Sequence, residues 1–385
     1  MTQDKDRKDL NVPPLRFPGF TDEWKERPLN QLVERVIRKN KNEESKIALT
    51  ISAQYGLVDQ EAFFNNKVAS SDLSHYYLLY KGEYAYNKSY SSGYPWGTVK
   101  RLNNYDKGVV SPLYICFRPL DTVDSDFIGH YFESSKWHKG ASEIAVEGAR
   151  NHGLLNIGVK DFFSTTHFVP SLDEQKKIAS ILSVIDERIA TQNKIIDDLH
   201  SLIKGLREQL FQPFLSNRIK LGSIAQITNG NGDVQDAISE YQADLFPFFD
   251  RSDEVKYFKD YSFDEEAIIY AGEGSEFLPR YYNGKFALHQ RCYAITILSS
   301  DFSPRYIYHY LQTQNNYFIR NAVGSTVPSL RMDCFQKICI PNVDKKIQEY
   351  IINRLETICE KIDNEKRLLL LYQRQKVYLL QKLFI

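Results

Sequence analysis

Two stretches of the chain carry apolar residues at steps that alternate between four and three positions. The first ladder runs from Ile178 to Leu210 and the second from Ile351 to Leu383. A spacing of 3.5 residues keeps an apolar seam facing a partner helix. The pattern therefore predicts two long helices, and we expect them to pair side by side as an antiparallel coiled coil.

Both ladders are interrupted by a polar residue at the same rung. Gln192 interrupts the first and Glu365 the second, and Lys376 interrupts the second ladder again. A polar residue on such a seam costs stability and fixes the register. We therefore predict that Gln192 and Glu365 set the coiled-coil register. The alternative is two independent amphipathic helices, each packed on its own domain, but it does not explain the matched rung.

The matched rung belongs to a duplication that spans most of the chain. Two copies of about 180 residues indicate a duplicated domain pair and not a solenoid. The matching landmarks are LNQLVERV from Leu29 with LGSIAQIT from Leu221, YKGE from Tyr80 with YAGE from Tyr270, His130 and Tyr131 with His309 and Tyr310, and QLF at 209–211 with KLF at 382–384.

Each copy combines a mixed α/β segment with one long helix. Strand-like runs and short helical runs fall at similar places in both. We predict an α+β fold in which two similar mixed α/β domains are joined by two long antiparallel coiled-coil helices, as a pseudo-two-fold internal repeat. The predicted strands are 46–52, 83–89, 113–118, 266–272 and 292–298, and the predicted short helices are 127–137 and 305–316. The predicted boundaries are a tail at 1–27, a first domain at 28–169, a central helix at 170–214, a second domain at 215–340 and a C-terminal helix at 341–385.

Both long helices are expected to begin in the same way. Pro170 and Pro341 end a preceding strand. Asp173 and Asp344 follow three residues later, as N-terminal caps or first-turn acids.

Composition narrows the classes of function. The 385 residues are 42% apolar, and 49 basic residues balance 49 acidic ones. A nucleic-acid contact must then come from local basic patches, because such domains often carry a basic excess. The five cysteines lack paired metal spacing, so we expect no metal and reduced thiols in the cytoplasm. The charged N-terminus is no signal peptide, and no apolar run approaches a membrane span of ~20 residues.

Several loops mix Tyr, Asn and Ser with Lys or Arg. Arg, Lys and Asn read purine edges, while Ser, Thr, Tyr and Lys hold phosphates. The alternative is solvated turns chosen for Gly, Asn and Ser. In the first copy the candidate DNA-binding residues are Tyr86, Asn87, Lys88, Ser89, Tyr90, Lys100, Arg101, Arg150, Asn151 and His152. In the second copy they are Arg251, Arg280, Tyr281, Tyr282, Asn283, Lys285, Arg291, Ser325 and Thr326.

Catalytic signatures are missing from the sequence. It contains no GxxxxGK, GxGxxG or HExxH motif. We interpret His130 and His309 as structural helix residues because they occupy matched, core-like positions. A duplicated chain of this kind is most simply a recognition module without catalytic residues.

Four segments resemble the specificity subunit of type I restriction–modification systems. They are LRFPGFTDEW at 15–24, KGEYAYNKS at 81–89, FVPSLDEQKKIASIL at 168–182 and the final QKLF at 381–384. The second junction, IPNVDKKIQEYI, places Lys345 and Lys346 where the first has Glu174 and Gln175. That difference puts a shared role of the acid–glutamine pair in doubt, but not the architecture.

The resemblance implies two target-recognition domains, each reading one half of a bipartite sequence in double-stranded DNA. The helices would set the unread spacer and dock two methyltransferase subunits, and two motor-nuclease subunits would join them. S-adenosylmethionine, ATP and Mg²⁺ would belong to those partners, with no cofactor in this chain and no membrane contact. The resemblance also implies that the RFPGF region lies near the C-terminal helix.

Two other functions remain as alternatives. A scaffold or adaptor would use the coiled coil to join two proteins without DNA. A self-contained enzyme would methylate or cleave DNA by itself when given S-adenosylmethionine, or ATP and Mg²⁺.

Overall fold

The computed structural model describes residues 11–66, 69–70, 72–89, 93–145, 155–324 and 326–385. It divides into two compact units. Unit 1 consists of Met1–Thr191 and Leu369–Ile385, and unit 2 is Gln192–Leu368. Each unit therefore contains part of both long helices.

Unit 1 surrounds a four-stranded sheet with strand order β2-β9-β6-β7. Three antiparallel pairs, β1-β10, β3-β4 and β5-β8, accompany it. Its strands are β1 (Lys25–Pro28), β2 (Val33–Arg35), β3 (Leu49–Ser52), β4 (Gly56–Asp59), β5 (Tyr77–Tyr80), β6 (Tyr84–Asn87), β7 (Thr98–Arg101), β8 (Lys107–Val110), β9 (Ile115–Pro119) and β10 (Thr166–Val169). Its helices are α1 (Gln60–Phe64), α2 (Ser125–Glu133), α3 (His138–Ile144), α4 (Val159–Ser164) and the start of α5 (Leu172–Phe211).

Both faces of this sheet are buried. On one face Tyr84, Tyr86 and Phe117 pack in a core that includes Leu182 of α5 and Phe384 near the C-terminus. Ala85 and Cys116 belong to a smaller core on the other face. Residues that alternate along a strand point to opposite faces, so Tyr84 and Tyr86 share the side on which the long helices lie.

Unit 2 repeats this plan with a larger sheet of strand order β12-β17-β15-β16-β13-β14. A β11-β18 pair matches β1-β10. Its strands are β11 (Arg218–Lys220), β12 (Ala225–Asn229), β13 (Phe246–Phe249), β14 (Lys256–Phe258), β15 (Phe263–Ala271), β16 (Arg280–Leu288), β17 (Cys292–Ile297) and β18 (Cys339–Pro341). Its helices are α6 (Pro304–Leu311), α7 (Asn315–Asn321), α8 (Met332–Lys337) and most of α9 (Lys345–Lys382). Short 3₁₀ helices are Leu29–Gln31, Gln212–Phe214, Leu221–Ser223 and Val234–Asp236.

The predicted fold class, two similar mixed α/β domains with two long helices, is confirmed. The predicted strands coincide with β3, β6, β9, β15 and β17, and the predicted helix at 127–137 begins slightly earlier as α2. The predicted helix at 305–316 ends at Leu311, and α7 follows from Asn315. Among the described helices, none is long and apolar enough to cross a membrane.

The two long helices run antiparallel within each unit. In unit 1, Lys376 of α9 bonds Asp186 of α5, and the Arg188 guanidinium lies 5.8 Å from the Tyr372 ring centroid. In unit 2, the Gln192 amide donates hydrogen bonds to the carboxylate and the backbone carbonyl of Glu365. The matched polar rung is therefore a buried hydrogen-bonded pair, which satisfies both polar groups on the seam.

One glutamine in each unit joins the start of a long helix to a short helix. Gln175 donates to the Pro170 carbonyl at 3.0 Å and accepts from the Asp124 amide at 2.9 Å. Gln348 donates to the Val343 carbonyl at 3.0 Å and accepts from the Ser303 amide at 2.9 Å. Asp124 and Ser303 are the N-terminal cap residues of α2 and α6.

This pairing corrects the alignment of the two junctions. Gln348, and not Lys346, is the counterpart of Gln175, so the glutamine is present in both copies. The same shift makes Ser171 the counterpart of Asp344. Asp344 caps α9 by accepting from the Ile347 amide at 2.9 Å, whereas Asp173 lies in the first turn of α5.

The YKGE and YAGE landmarks are also not equivalent. Tyr80 ends β5 and its Gly-Glu pair precedes β6, whereas Tyr270 lies near the end of β15. The strand that matches β15 is β6, because each pairs with the strand before α2 or α6. Tyr270 therefore corresponds to Tyr86, and both rings pack against a phenylalanine of the helix that precedes the junction strand.

Candidate nucleic-acid interface

Among the candidates of the first copy that the structure describes, Tyr86 alone lies wholly in the core. Its side chain is 0% exposed, it stacks on Phe162 with ring centroids 4.8 Å apart, and its hydroxyl donates to the Trp96 carbonyl at 2.8 Å. Burial also raises the pKa of its phenol. The prediction that Tyr86 contacts DNA is therefore wrong for this conformation, because the whole ring is covered by protein.

The residues that follow Tyr86 form a half-buried turn at the end of β6. The Asn87 carboxamide oxygen accepts from the Ser89 amide at 3.1 Å, which is a local turn bond. The Lys88 carbonyl accepts from the Leu155 amide at 3.0 Å, and its ammonium donates to the Ile157 carbonyl at 3.2 Å. Tyr90, Arg150, Asn151 and His152 lie outside the described residues. Lys88 is thus held by two described residues, Leu155 and Ile157.

Unit 2 has the same arrangement at the same place. The Leu330 amide donates to the Gly272 carbonyl at 2.7 Å, as the Leu155 amide does to Lys88. Ser325 lies outside the described residues, and Thr326 is exposed. Leu155 and Leu330 therefore bond the ends of equivalent strands in the two units.

Lys100 and Arg101 sit at the end of β7 and face α2. Lys100 pairs with Glu133 at 3.3 Å, and Arg101 pairs with Asp126 at 2.6 Å. Arg101 also donates to the hydroxyl of Ser125 at 3.1 Å. Both cations are half-buried and have protein partners, so a DNA phosphate would have to compete with a carboxylate for either of them.

The β15-β16 hairpin of unit 2 carries five candidates from 280 to 285. Arg280 donates to the Ser252 carbonyl and lies 3.4 Å from the Asp253 carboxylate. Its Nη1 is buried without an acceptor among the described residues. Ser252 follows Arg251 in the chain. The hairpin therefore brings Arg280 close to Arg251, although the two candidates are distant in sequence. Arg251 itself is exposed.

Tyr281 and Tyr282 point to opposite faces of the hairpin. Tyr281 donates to the Glu266 carboxylate, and the Arg305 guanidinium lies 4.5 Å from its ring centroid. Tyr282 packs on Phe249 at 5.2 Å, within the second core of unit 2. Both residues are half-buried.

Asn283 and Lys285 are exposed on the outer part of the hairpin, opposite carboxylates. Asn283 pairs with Glu266 across the strands, and Lys285 pairs with Asp264. The Glu266 carboxylate already accepts from the Tyr281 hydroxyl. Arg291 is exposed but pairs with Glu273 at 2.6 Å.

The side chains of His130 and His309 each contact a residue of a long helix, which agrees with a structural role. His130 Nε2 lies 3.2 Å from the Ser183 hydroxyl of α5, and His309 Nε2 lies 3.0 Å from the Glu356 carboxylate of α9. Burial lowers the pKa of His309, although the neighbouring Glu356 carboxylate acts to raise it.

His130 also belongs to an acidic cluster with Glu133 and Asp186. Their ligand atoms lie within 4.8 Å of one another, which is close enough for a metal ion. The Lys376 ammonium instead contacts Glu133 at 2.7 Å and Asp186 at 2.5 Å. Burial acts to raise the pKa of Glu133, but the His130 bond and the charges of Lys376 and Lys100 outweigh it and hold that pKa well below its usual range. The cluster is therefore an ion-pair network in which lysine takes the position of a cation.

The N-terminal RFPGF region lies on the C-terminal helix, as the resemblance implies. The Leu15 amide donates to the Lys382 carbonyl at 2.9 Å. Arg16 forms a forked pair with Glu174 at 2.7 and 2.8 Å, and Glu174 is 1% exposed. The expected proximity is confirmed, and the buried fork gives Glu174 a structural partner.

Comparison with known proteins agrees with this architecture. A structure titled as the S subunit of a type I restriction-modification system from M. genitalium superposes with a TM-score of 0.58 at 18% identity, covering 97% of this chain and 99% of that one. A second structure, from work on complex assembly and conformational transition of the type I R-M system, superposes with a TM-score of 0.54 at 14% identity, covering 96% and 99%. At these identities the likeness concerns the fold.

Two curated relatives match shorter stretches. The Type I restriction enzyme EcoDI specificity subunit of Escherichia coli is 27% identical over 148 residues, which is 38% of this chain and 32% of the relative. The MjaVIII specificity subunit of Methanocaldococcus jannaschii is 30% identical over 105 residues, or 27% of this chain and 24% of the relative. The chain thus spans a third or less of the length of these relatives.

A family model for the type I restriction modification DNA specificity domain matches this chain twice, at residues 21–201 and 216–371. The matched ranges cover both α/β segments and most of both long helices. The chain therefore belongs to the family of type I restriction modification DNA specificity domains, of which it carries two copies.

Proposed function

We propose that the chain is the DNA sequence-recognition subunit of a type I restriction–modification complex. The observation that carries this proposal is the double match to the DNA specificity domain. Each copy would read one half of a bipartite target, and the chain would have no catalysis of its own. The loops differ between the copies while the frame is shared, so the two half-sites should differ in sequence.

The positions of the candidate residues support recognition of DNA bases by strand ends and loops. In unit 1 the predicted contact Lys88 follows the end of β6, where its carbonyl accepts from the Leu155 amide, and in unit 2 the Gly272 carbonyl accepts from the Leu330 amide at the equivalent place. In unit 2 the exposed Asn283 and Lys285 add an amide and a cation opposite the carboxylates Glu266 and Asp264. Amides suit adenine, cations suit guanine, and carboxylates suit cytosine. Such a surface can discriminate bases without a net positive charge.

The near-zero net charge fits a subunit that works in a complex. Most of the affinity of DNA-binding proteins comes from neutralising phosphates with Lys and Arg. Here Lys100, Arg101 and Arg291 already pair with carboxylates. We infer that two methyltransferase subunits, joined by two motor-nuclease subunits, supply the phosphate contacts. S-adenosylmethionine, ATP and Mg²⁺ would be bound by those partners, and the complex would act in the cytoplasm.

The long helices would set the length of the unread spacer. Helices α5 and α9 have 40 and 38 residues, about 60 Å at 1.5 Å per residue. The Gln192–Glu365 pair would hold them in one register. Inserting a full heptad after Gln192 should therefore change the spacer or abolish activity while leaving each half-site intact.

The test is a genome-wide map of methyladenine in cells that express this chain with its methyltransferase subunit. We expect a gapped motif with two unlike halves, which disappears when this chain is omitted. Lys285→Ala should relax one half only, and Lys259→Ala, at another exposed lysine of unit 2, should leave both halves unchanged. Methylation without the chain, or a stable complex without methylation, would contradict the proposal.

A further inference from the structure

Helix α6 presents one face of side chains to the start of β16. Arg305 and Tyr308 both contact Tyr281, because the guanidinium lies 4.5 Å from its ring centroid and the two tyrosine rings are 5.7 Å apart. One turn further along α6, the Gln312 amide donates to the Pro279 carbonyl at 2.7 Å. Side chains three or four positions apart share one face of a helix. A single face of α6 therefore holds the strand that leads into the exposed part of the hairpin.

The Arg305 side chain also reaches α9. One of its guanidinium nitrogens lies 2.9 Å from an oxygen of Glu356, and the other oxygen of that carboxylate lies 3.0 Å from His309 Nε2. The hydrogen bond from His309, together with that from Arg305, lowers the pKa of Glu356, so the carboxyl stays charged. Both carboxylate oxygens thus have partners, and Arg305 joins the Tyr281 ring to a fixed anion on the long helix.

Tyr281 extends this connection to the β15-β16 hairpin. Its hydroxyl donates to the Glu266 carboxylate on the neighbouring strand. Glu266 pairs with Asn283 across the strands, and Asn283 shares a face with Tyr281 because alternate residues of a strand point to the same side. The exposed Asn283 is one of the predicted DNA contacts. A series of neighbouring residues therefore runs from Glu356 on α9 through Arg305 and Tyr281 to this predicted contact.

Unit 1 has no such series among its described residues. Asp126 stands where unit 2 has Arg305, and it pairs with Arg101 of β7 at 2.6 Å. Ser183 stands where unit 2 has Glu356, and its hydroxyl bonds the histidine of α2 and not Asp126. The contact between strand and short helix is thus present in both units. In unit 2 the same helix side chain continues to a long helix.

We propose that Arg305 is a positioning residue for DNA recognition by unit 2, where it holds Tyr281 and the exposed part of the hairpin against α9. The inference rests on the proposed function, which gives the hairpin its role in recognition. The Arg305 side chain is 44% exposed, so its pair with Glu356 adds little to stability. Its planar guanidinium can bond a carboxylate and also lie against a ring, which a lysine ammonium does less well.

The test measures methylation of short duplexes by the complex of the full chain with its methyltransferase subunit. Each duplex carries the mapped target or a single base change in one half. We expect Arg305→Met to lower discrimination against the changed base about 10-fold in one half-site only, which is in the range of a single base contact. Arg305→Lys keeps the charge beside Glu356 and should recover part of that discrimination.

The matched control is Arg320→Met in α7. Arg320 is exposed, and among the described residues it has no ion pair or ring contact. This variant removes the same guanidinium from the same unit, so it should leave discrimination in both half-sites unchanged. If Arg305→Met also leaves both unchanged, or if it lowers both equally, the inference is wrong.

A double variant tests the link to α9. Glu356→Gln removes the charge beside Arg305 and keeps an oxygen for His309. If Arg305 acts through Glu356, adding Glu356→Gln to Arg305→Met should lower discrimination no further than Arg305→Met alone, because both changes break one connection. Additive losses would overturn the connection to the long helix.

Amide hydrogen exchange separates this inference from the proposed function, because it needs no DNA. The amides of residues 280–285 should exchange about 10-fold faster in Arg305→Met than in the wild-type chain, while those of β11 and β18 stay unchanged. Unchanged exchange at 280–285 would overturn the positioning role even if the wild-type complex methylates a bipartite target. A wild-type complex that methylates no such target would overturn the proposed function, and the exchange rates would still decide whether Arg305 holds the hairpin.

Discussion

The two units make contacts at equivalent positions, but with different pairs of side chains. In unit 1, Arg101 on a strand pairs with Asp126 on α2, while in unit 2 Tyr281 on the equivalent strand lies under Arg305 of α6. The charge on the helix has changed sign, and the strand residue has changed with it. The contact is preserved although neither residue is.

A second exchange lies where the short helix meets the long ones. Unit 1 places Glu133, Asp186 and Lys376 in an ion-pair cluster. The counterparts in unit 2 are Gln312, Cys359 and Ile203, and Ile203 is 3% exposed in an apolar core. Unit 2 thus has three neutral residues where unit 1 has three charged ones. Changing one charged residue alone would leave its charged neighbours without their partner. The difference indicates that the three residues of each unit depend on one another and differ together between the units.

Breaking one set should have the largest effect. We expect Lys376→Ile to destabilise unit 1 by about 2 to 4 kcal/mol, because it removes the cation that Glu133 and Asp186 share and leaves only Lys100 beside Glu133. The partial exposure of Asp186, 40% for its side chain, keeps the expected value below that of a fully buried pair. The three tryptophans, Trp24, Trp96 and Trp137, all lie in unit 1, so urea unfolding followed by tryptophan fluorescence reports on this unit.

The matched control transfers the complete set of unit 2. The triple variant Lys376→Ile, Glu133→Gln, Asp186→Cys should recover most of the lost stability, since a neutral set replaces the ionic one. If the triple variant is as unstable as the single one, the residues do not form an exchangeable set and the comparison fails at this point.

A buried hydrogen bond shared by both units should have the next largest effect. Gln175→Leu removes the partner of one backbone amide and one carbonyl, and Gln348→Leu removes the partner of one amide and of the Val343 and Asp301 carbonyls; each loss costs about 1 to 3 kcal/mol. Each glutamine is 2% exposed, so water cannot take its place. We expect similar losses in the two units, measured by amide hydrogen exchange of α2 and α6.

The isosteric variants Gln175→Glu and Gln348→Glu keep the acceptor but place a second acceptor oxygen against the same carbonyl in a buried site, so they should lose at least as much stability. Strongly unequal losses in the two units would show that the correspondence at 173 residues does not extend to energetics.

Lowering the pH should reduce the stability of unit 1 through its ion-pair cluster. The pKa of Glu133 is lower in the folded unit than its unfolded value of about 4.3, so the stabilisation is present above that pH and is lost as pH falls toward the folded pKa. We expect the free energy of unfolding of unit 1 to fall below about pH 4.5. The triple variant, which lacks both carboxylates, should show a shallower fall by tryptophan fluorescence, and an unchanged slope would contradict this assignment.

The parts that could be predicted from the sequence are those with a local period. The 3.5-residue spacing revealed both helices, and the interruption by Gln192 and Glu365 revealed a pair that is hydrogen-bonded in the fold. The partner acids of Lys376 were not visible, because one comes from α2 and the other from α5, and their contact depends on tertiary packing. Gln348 was misaligned because the residues after Pro341 include two that have no counterpart after Pro170.

The candidate DNA surface was predicted less well, for a physical reason. Tyr84, Ala85 and Tyr86 are all buried, which is the pattern of a strand covered on both faces. The sequence interpretation assigned this aromatic segment to a binding loop, although Tyr86 follows the pattern of a buried strand.

The smallest effect is expected at an exchanged pair on the surface. Glu34 and Arg118 face each other across β2 and β9 with a 2.6 Å contact, and the equivalent positions in unit 2 hold Gln226 and Thr296. Both charged side chains are more than half exposed, so water and salt screen their attraction. Exchanging the pair for its counterpart, as Glu34→Gln with Arg118→Thr, should cost about 0.2 to 1 kcal/mol. The difference should vanish in 1 M salt, measured by the same fluorescence titration. A loss as large as that of Lys376→Ile, or one that persists at high salt, would mean that the exposed pair shares the cooperative character of the buried set.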